Sequence, residues 1–176
     1  MISRIKRSFA TQVWAPLRSV SSILVQSLFA GPSVLWRFID EDATEISQIL
    51  EDWAASNHEI PLVHNVEERA DYGHWLLKHT SVTMIYNNSG VVGFLALEKD
   101  IIQALYIKKH FQGFGFGQAA IKFAQKQFEE LRLWVFQSNI GAQRFYQRLG
   151  FQIIKMSDGQ DNDYNLPDVF YRWKAS

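Results

Sequence analysis

A glycine-rich segment in the second half of the chain has the residue types and spacing of an anion-binding loop. It runs from Gln112 to Gly117 with the sequence QGFGFG. An apolar run at 101–107 that favours a β-strand precedes it, and a helical pattern starts at Gln118. Glycines let the backbone approach a ligand closely, and the first turn of a helix leaves N–H groups unpaired. The segment therefore predicts a phosphate or pyrophosphate site made of main-chain amides.

The spacing of these glycines argues against two common nucleotide-binding loops. The segment lacks the Lys-Ser/Thr pair of a P-loop. It also lacks the G-x-G-x-x-G spacing of a dinucleotide-binding turn, and it lies mid-chain rather than after a first strand.

A second motif lies downstream, where residues 139–151 read NIGAQRFYQRLGF. It resembles the N-x-x-A-x-x-F-Y-x-x-x-G-F signature of the GNAT family of acyl-CoA-dependent N-acetyltransferases. The segment Gln112–Gly117 matches that family's Q/R-x-x-G-x-G/A loop. The two motifs stand in the family's order and separation. The resemblance covers roughly residues 34–174, and its specific part is 101–151.

The pattern of strands and helices predicts an α/β (α+β) domain. The resemblance implies the GNAT fold, a mixed, mostly antiparallel central sheet flanked by helices and splayed at its central strands. A bulge in the central strand would open a V for the thioester. The predicted strands are 34–39, 82–86, 91–97, 101–107, 131–136, 151–156 and 169–173. The predicted helices are one capped by Asp40, Asp42 or Thr44, then 67–79, one from Gly117 to near Phe128, and 139–149.

The resemblance implies that acetyl-CoA is the acyl donor and that main-chain groups bind it. Backbone groups of Leu105, Tyr106 and Ile107 would hydrogen-bond the pantetheine, and amides from Gly113 to Gln118 would hold the pyrophosphate. Asn139 would cap its helix and also bond the pantetheine arm. The predicted cofactor-binding residues are Leu105, Tyr106, Ile107, Gln112, Gly113, Phe114, Gly115, Phe116, Gly117, Gln118 and Asn139. The rings of Phe114 and Phe116 are predicted to pack, with their amides mattering more.

Tyr146 is the predicted general acid. The resemblance gives it the role of protonating the leaving CoA thiolate, and a hydroxyl near the usual tyrosine pKa of about 10 suits that task. Tyr146 also lies on an apolar helical stripe with Ala142, Phe145 and Leu149, so a plain core tyrosine is the alternative.

The general base is not fixed by the sequence. Some relatives have a glutamate at the positions of Trp134 or Ile101, and neither residue accepts a proton. Four candidates remain, which are His58, His64, Glu98 and Asp100. His64 is the predicted base, because histidine titrates near neutral pH and the loop after the first helix borders the acceptor site in the family. Solvent-exposed loop histidines are the alternative.

The predicted reaction is direct attack of a primary amine on acetyl-CoA in a ternary complex, since the chain has no cysteine to carry the acetyl group. The acceptor would be a small molecule, a protein N-terminus or a lysine. The alternative is a GNAT-fold module that binds acyl-CoA without catalysis. The absent glutamates favour that alternative, whereas Asn139 and Tyr146 favour the enzyme.

Composition bounds the remaining possibilities. The 176 residues suit one domain, and Lys+Arg and Asp+Glu are balanced at 18 each, which favours neither nucleic acid nor stable membrane association. The absence of cysteine excludes disulfides and Cys-ligated zinc and fits a cytoplasmic protein. No metal is predicted, and the chain is expected to be a monomer or homodimer.

Residues 1–33 are basic and Ser-rich and could be an amphipathic helix, a targeting peptide or a dispensable extension before a domain at 34–176.

Overall fold

A computed structural model describes residues 35–39, 43–56 and 66–176 of the chain. Three sets of predictions therefore lie outside the described residues. These are the N-terminal segment 1–33, the helix caps Asp40 and Asp42, and the loop that carries His58 and His64.

The described ranges contain the strands and helices in the predicted order. They are β1 Leu35–Ile39, α1 Thr44–Ser56, α2 Val66–His79, β2 Ser81–Asn87, β3 Gly90–Glu98, β4 Ile101–Ile107, α3 Phe116–Gln125, β5 Glu130–Phe136, α4 Ile140–Arg148, β6 Gln152–Ser157 and β7 Asp168–Lys174. A 3-10 turn at Lys109–Phe111 was not predicted. The predicted end of α3 near Phe128 is wrong. The chain leaves the α-helix after Gln125, where Gln127 N donates to Ala124 O in a tighter bond.

The strands form one sheet in the order β1-β2-β3-β4-β5-β7-β6. Neighbouring strands are antiparallel except β4 and β5, which are parallel. This arrangement confirms the predicted mixed, mostly antiparallel sheet flanked by helices. Its one parallel junction lies at the centre, directly between the two predicted motifs.

The junction between β4 and β5 is closed at one end only. Ile101 and Arg132 are the single registered pair between these two described strands. Just before that pair, Arg132 N donates to Asp100 O at 2.9 Å, and the Arg132 guanidinium makes a bidentate bond to the Asp100 carboxylate at 2.6 and 2.7 Å. The strands are unpaired beyond it, so the predicted splay is confirmed.

A bulge in β4 marks where the open half begins. Ala96 is opposite Ala104 and Leu97 is opposite Ile102, so Gln103 is an extra residue on β4. Gln103 Nε2 donates to Glu98 Oε2 at 2.8 Å and so ties the bulge to β3. A bulge bends its strand and increases the local twist, which directs the second half of β4 away from β5.

Two apolar cores lie on opposite faces of the sheet. One packs α3 and α4 against β4, β5 and β7 and includes Leu105 and Tyr146. The other packs α1 and α2 against β2, β3 and β4 and includes Ala104 and Tyr106. Successive β4 side chains therefore enter different cores, as a strand between two helical layers requires. This packing fixes β4 from both faces and leaves its β5-facing edge open.

Candidate functional site

The open edge of β4 presents main-chain groups toward β5. Lys108 N donates to Val92 O at 2.9 Å, and Tyr106 is paired with Phe94. In an antiparallel pair, the main-chain groups of successive residues point alternately toward and away from the partner strand. The N–H and C=O groups of Tyr106 therefore face β3, and those of Leu105 and Ile107 face the gap. Of the three predicted main-chain contacts, the structure brings two to the gap. The main-chain groups of Tyr106 face β3 rather than the gap, contrary to the prediction, and its side chain packs in the α1–α2 core.

Gln112 joins this edge to the glycine loop. Its Nε2 donates to Ile107 O at 2.9 Å. That bond occupies the Ile107 carbonyl and leaves the Ile107 N–H and both main-chain groups of Leu105 as the groups that face the gap. Gln112 thus fixes the end of β4, and its predicted contact with the cofactor stays a prediction.

The glycine loop has the backbone conformation that requires glycine. Gly113 and Gly115 have φ of +83° and +88°, in the left-handed region. A Cβ atom added at Gly113 would meet nothing within 4 Å, so the loop is open on that side. A close approach by a large anion is sterically possible there.

The start of α3 supplies unpaired amides at the same place. Gly115 is the N-cap and provides no side-chain cap. The first helical bond runs from Ala119 N to Gly115 O at 2.9 Å. The amides of Phe116, Gly117 and Gln118 precede it and are the groups that an anion at a helix N-terminus would accept from. These residues fit a pyrophosphate group.

The two phenylalanines of the loop differ. Phe116 is buried at 5% exposure and its ring lies 6.0 Å from that of Phe111, so the predicted packing role is confirmed. Phe114 is 66% exposed, so its predicted packing role is wrong.

Asn139 is the N-cap of α4. Its Oδ1 accepts from Ala142 N at 3.0 Å. No described residue accepts a hydrogen bond from its Nδ2, so that amide group is free to donate. The cap is shown, and the predicted bond to a pantetheine arm remains a prediction.

Tyr146 is buried at 3% exposure within the α3–α4 core. Its ring contacts Phe145 and Phe151 edge-on, at centroid distances of 5.0 and 5.4 Å. Its hydroxyl has no hydrogen-bond partner among the described residues, which is unusual for a buried phenol. Burial raises the pKa of Tyr146 well above its usual range, so the expected near-normal pKa is wrong.

Asp100 is not a suitable general base. The Arg132 guanidinium hydrogen-bonds its carboxylate and holds the pKa of Asp100 below its usual range. A carboxylate with a lowered pKa is a weaker proton acceptor. Glu98 accepts a bond from Gln103 at the bulge, and His58 and His64 lie outside the described residues.

The positions where relatives have a glutamate are apolar here. Ile101 forms the closing pair of the junction. The ring of Trp134 lies 4.7 Å from that of Phe170, and Lys155 Nζ lies 5.2 Å from its centroid. Neither position supplies a base.

A cleft of about 360 Å³ lies between the C-terminal half of α1 and the end of β4. Its lining includes Asp52, Trp53, Tyr106, Lys108 and His110. The Tyr106 ring packs edge-on against Trp53 at 5.8 Å and stacks on Phe94 at 5.3 Å. The cleft therefore approaches the open half of β4 from the α1–α2 face.

Two further tyrosines near the gap were not singled out from the sequence. The Tyr72 hydroxyl donates to Gln103 O at the bulge, at 3.4 Å. Tyr164, in the β6–β7 loop, packs edge-on against Phe136 at 5.2 Å. The helical pattern of α2 could have indicated an inward-facing Tyr72, whereas the polar loop gave no signal for Tyr164.

Two other kinds of site are absent from the described part of the chain. Across 35–39, 43–56 and 66–176, no cluster of three or more His, Cys, Asp or Glu side chains could hold a metal ion. In those same ranges, no helix has both the length and the apolar character needed to cross a membrane.

The comparisons with known proteins agree with this geometry. Residues 69–153 match the sequence model of the family described as Acetyltransferase (GNAT) domain. No curated protein matches the chain in sequence. The solution structure of apo YjaB from Escherichia coli is 22% identical, with a TM-score of 0.67, and the match covers 81% of this chain and 99% of that chain.

Two ligand-bound structures are also similar. PaiA N-acetyltransferase from Thermoplasma acidophilum, in complex with coenzyme A, is 20% identical with a TM-score of 0.64, covering 81% of this chain and 99% of that one. A Bacillus anthracis structure in complex with acetyl coenzyme A is 17% identical with a TM-score of 0.50, covering 56% and 64%. The splayed sheet and its glycine loop therefore have the fold of this class of acetyltransferases. This chain contains a GNAT acetyltransferase domain, which the family model matches over residues 69–153.

Proposed function

We propose that this chain transfers the acetyl group of acetyl-CoA to a primary amine of an acceptor molecule. The observation that supports this most strongly is a convergence at the open end of the β4–β5 gap. Main-chain groups of Leu105 and Ile107 face this gap, uncapped amides lie at the start of α3, and Tyr146 is buried in the same core as Leu105. The first two sets can bind a donor, and the third can act on it.

Acetyl-CoA would bind through main-chain groups. The pyrophosphate would accept bonds from the amides between Gly113 and Gln118, favoured by the dipole of α3. The pantetheine would lie along β4 as an added strand, paired with Leu105 and Ile107 and bonded by Asn139 Nδ2. All of these contacts except that of Asn139 use main-chain groups.

The chemistry is an addition followed by an elimination. The amine nitrogen attacks the thioester carbonyl carbon and forms the N–C bond, while the carbonyl oxygen takes up the π electrons. The main-chain N–H groups of β4 that face the gap would stabilise that oxyanion. When the carbonyl reforms, the C–S bond breaks and its electron pair leaves with the CoA sulfur.

Tyr146 would donate the proton that the leaving thiolate needs. Its raised pKa makes it a weaker acid than an exposed tyrosine. The same apolar surroundings also raise the basicity of a buried thiolate, so the two groups stay matched. The proton lost by the amine balances the one that Tyr146 gives. His64 remains the predicted acceptor of the amine proton.

A second candidate function is a module that binds acyl-CoA without catalysis. The observation that favours it is the apolar character of both positions where relatives have a glutamate, Ile101 and Trp134. Both functions use the same donor site, so binding of CoA alone does not separate them.

The separating experiment is release of free thiol from acetyl-CoA in the presence of a panel of amines. The acetylated product is identified by mass spectrometry, and reactions without amine measure hydrolysis. The enzyme is supported by thiol release that depends on an amine and matches the product formed. Binding of acetyl-CoA in calorimetry with no amine-dependent thiol release would instead support the non-catalytic module.

A further inference from the structure

We infer that β6 is a dimer interface, at which two copies of this chain pair edge to edge in antiparallel directions around a two-fold axis. The partner is a second copy of the chain, and the surface consists of β6 together with the exposed side of α4. This surface is separate from the gap between β4 and β5, since β7 lies between β6 and β5 in the sheet.

The strand β6 is an open edge of the sheet. It pairs with β7 on one side, and no other described strand pairs with it. Part of its main-chain N–H and C=O groups therefore points away from the sheet, in the arrangement that a further strand can bond. The described chain is continuous over 66–176, so the elements that flank β6 in sequence are all included.

Exposed apolar side chains cluster at this edge. Five large apolar side chains are exposed among the described residues, and four of them lie on β6 or at the start of α4. On β6, Ile153 and Ile154 are each 43% exposed and Met156 is 60% exposed, and Ile140 of α4 is 50% exposed. Single exposed apolar residues are common, whereas a cluster of them marks an interaction surface.

Two of these side chains lie on the face of the sheet that α4 covers. Ile153 is opposite Tyr171, and Met156 is opposite Val169. Both partners belong to the core beneath α4, and α4 lies over Tyr171 because two of its glutamines bond the tyrosine hydroxyl. Directly opposite residues share a face of the sheet, so Ile153 and Met156 flank α4 on its outer side.

The features that usually protect an edge strand are weak in β6. Lys155 does not extend from the edge, because its Nζ lies 5.2 Å from the centroid of the Trp134 ring on the other face of the sheet. A bulge often blunts an edge, and Ile154 is the extra residue of a bulge in β6. Here the bulge residue is itself an exposed isoleucine. The bulge also places Ile153 and Met156, which are three residues apart, on one face.

A two-fold axis makes this edge complementary to itself. When the axis passes between Ile154 and Lys155, Ile153 of each copy lies opposite Met156 of the other copy. Two equivalent apolar pairs then form on the face that carries both α4 helices. Such a surface closes into a dimer and leaves no further edge to extend.

The charges around β6 favour the antiparallel arrangement. Residues 139–157 contain three cationic and no acidic side chains, whereas the loop at 158–168 contains four aspartates and no cation. Antiparallel pairing brings the start of one β6, next to Arg148, close to the end of the other, which continues into Asp158. Both side chains are exposed, and neither forms an ion pair with a described residue. Parallel pairing would instead place like charges together.

The first test measures the mass of the full chain in solution. Because β6 has only six residues, the interface is small and an affinity in the micromolar range is expected. Sedimentation velocity without ligand, from about 1 μM to several hundred μM, should show the 20.4 kDa chain passing into a species of twice that mass. A chain that stays monomeric at the highest concentration overturns the inference.

A charge placed at the apolar pair localises the interface. Met156→Lys should weaken the dimer by about tenfold or more, since it places an unpaired ammonium against an apolar side chain. The melting temperature should change little, because Met156 is exposed. Phe114→Lys is the matched control, since Phe114 is also an exposed large apolar residue but lies in the glycine loop. It should dimerise like the wild type. A loss in both variants, or in neither, overturns the assignment.

Reversal of the charges tests the antiparallel direction. Arg148→Glu and Asp158→Arg should each weaken the dimer by about two- to tenfold, as expected for partly exposed ion pairs that occur twice. The double variant restores an opposite-charge pair between the two copies and should dimerise more tightly than either single variant. A merely structural role of these residues would not produce that recovery. A double variant no tighter than the single variants overturns the arrangement.

Introduced cysteines test the register, because the chain has none of its own. A mixture of Ile153→Cys and Met156→Cys should form a disulfide-linked dimer under mild oxidation, since opposite residues lie within disulfide reach. Each variant alone should crosslink far less, because identical positions would lie about 10 Å apart along the paired strands. Phe114→Cys mixed with Met156→Cys is the control and should give only the background level. Equal crosslinking in the mixture, in the separate variants and in the control overturns the proposed pairing.

Discussion

The two ends of the β4–β5 junction differ in how their polar groups are satisfied. At the closed end, Asp100 and Arg132 bond each other through side chains and main chain, and Ile101 completes the pair. At the open end, the main-chain groups of Leu105 and the buried hydroxyl of Tyr146 have no comparable partners among the described residues. Buried polar groups are almost always paired in folded proteins. The contrast supports the proposal that the closed end holds the fold together and the open end binds a ligand.

The largest expected effect is loss of catalysis at the open end. Tyr146→Phe keeps the ring and its packing and removes the hydroxyl. If general-acid catalysis has its usual size, kcat should fall by ~100-fold or more. CoA affinity should stay near the wild-type value, because the packing surface is almost unchanged.

The control for this prediction is Tyr171→Phe, which removes a buried hydroxyl from the same core. It should lower stability and leave kcat unaffected. Wild-type turnover by Tyr146→Phe on its acceptor would return Tyr146 to a purely structural role. The loss should also shrink with an acyl donor whose thiol leaves more easily.

The next effect concerns the glycine loop. Gly115→Val places a β-branched side chain at a left-handed position and obstructs the amides at the start of α3. Loss of one amide bond to a charged phosphate should weaken CoA binding by roughly 10- to 100-fold in calorimetry. Gly90→Val is the matched control, since Gly90 also has a positive φ, of +115°, and lies far along the chain at the start of β3. Equal CoA affinities of the two variants would remove the loop from the site.

A smaller effect is expected at the closed end. Asp100→Asn weakens a partly exposed ion pair, so the free energy of unfolding should fall by about 1 kcal/mol or less. CoA affinity should fall by no more than about fivefold, through wider separation of the strands. The double variant with Arg132→Gln should add little to either loss. A loss of CoA binding as large as that of Gly115→Val would contradict the division between the two ends.

The pH dependence of the closed end follows from the lowered pKa of Asp100. Its carboxylate stays charged and paired at neutral pH. A group whose pKa is lowered on folding contributes stability above its unfolded pKa of about 3.9 and loses it as the pH falls through the lowered value. The difference in unfolding free energy between the wild type and Asp100→Asn should therefore be constant near neutral pH and disappear in acid.

The smallest effect is expected for Phe114. Its side chain is 66% exposed, so Phe114→Ala removes no packing. CoA affinity should change by about twofold or less. Calorimetry that shows a tenfold loss would mean that the ring itself contacts the ligand.

The sequence predicted those features whose signals lie within a few neighbouring residues. The bounds of α4 were predicted well because its start and end have local signals, the Asn139 cap and Gly150 with a φ of +87°. The glycine loop was predicted for the same reason. The end of α3 was missed, because residues 126–128 continue a helical pattern and only the bond from Gln127 N to Ala124 O shows the tightened turn.

Contacts between distant segments could not be predicted in this way. Asp100 was considered as a base, whereas its pairing with Arg132 joins residues 32 apart and depends on the parallel register of β4 and β5. The N–H and C=O groups of Leu105 and Tyr106 point to opposite sides of β4. This follows from the pairing of β4 with β3, which a short sequence motif does not show. Tyr164 lies in a polar loop, and its packing against Phe136 at the end of β5 has no signal in the sequence.

The most direct test of the difference between the two ends is amide hydrogen exchange by NMR, measured with and without CoA. The account predicts that CoA slows exchange at Leu105, at Ile107 and across Gly113–Gln118. The amide of Arg132, which is already bonded to Asp100 O, should exchange at the same slow rate in both states. Saturating CoA that leaves Leu105, Ile107 and the glycine loop unchanged would contradict the account.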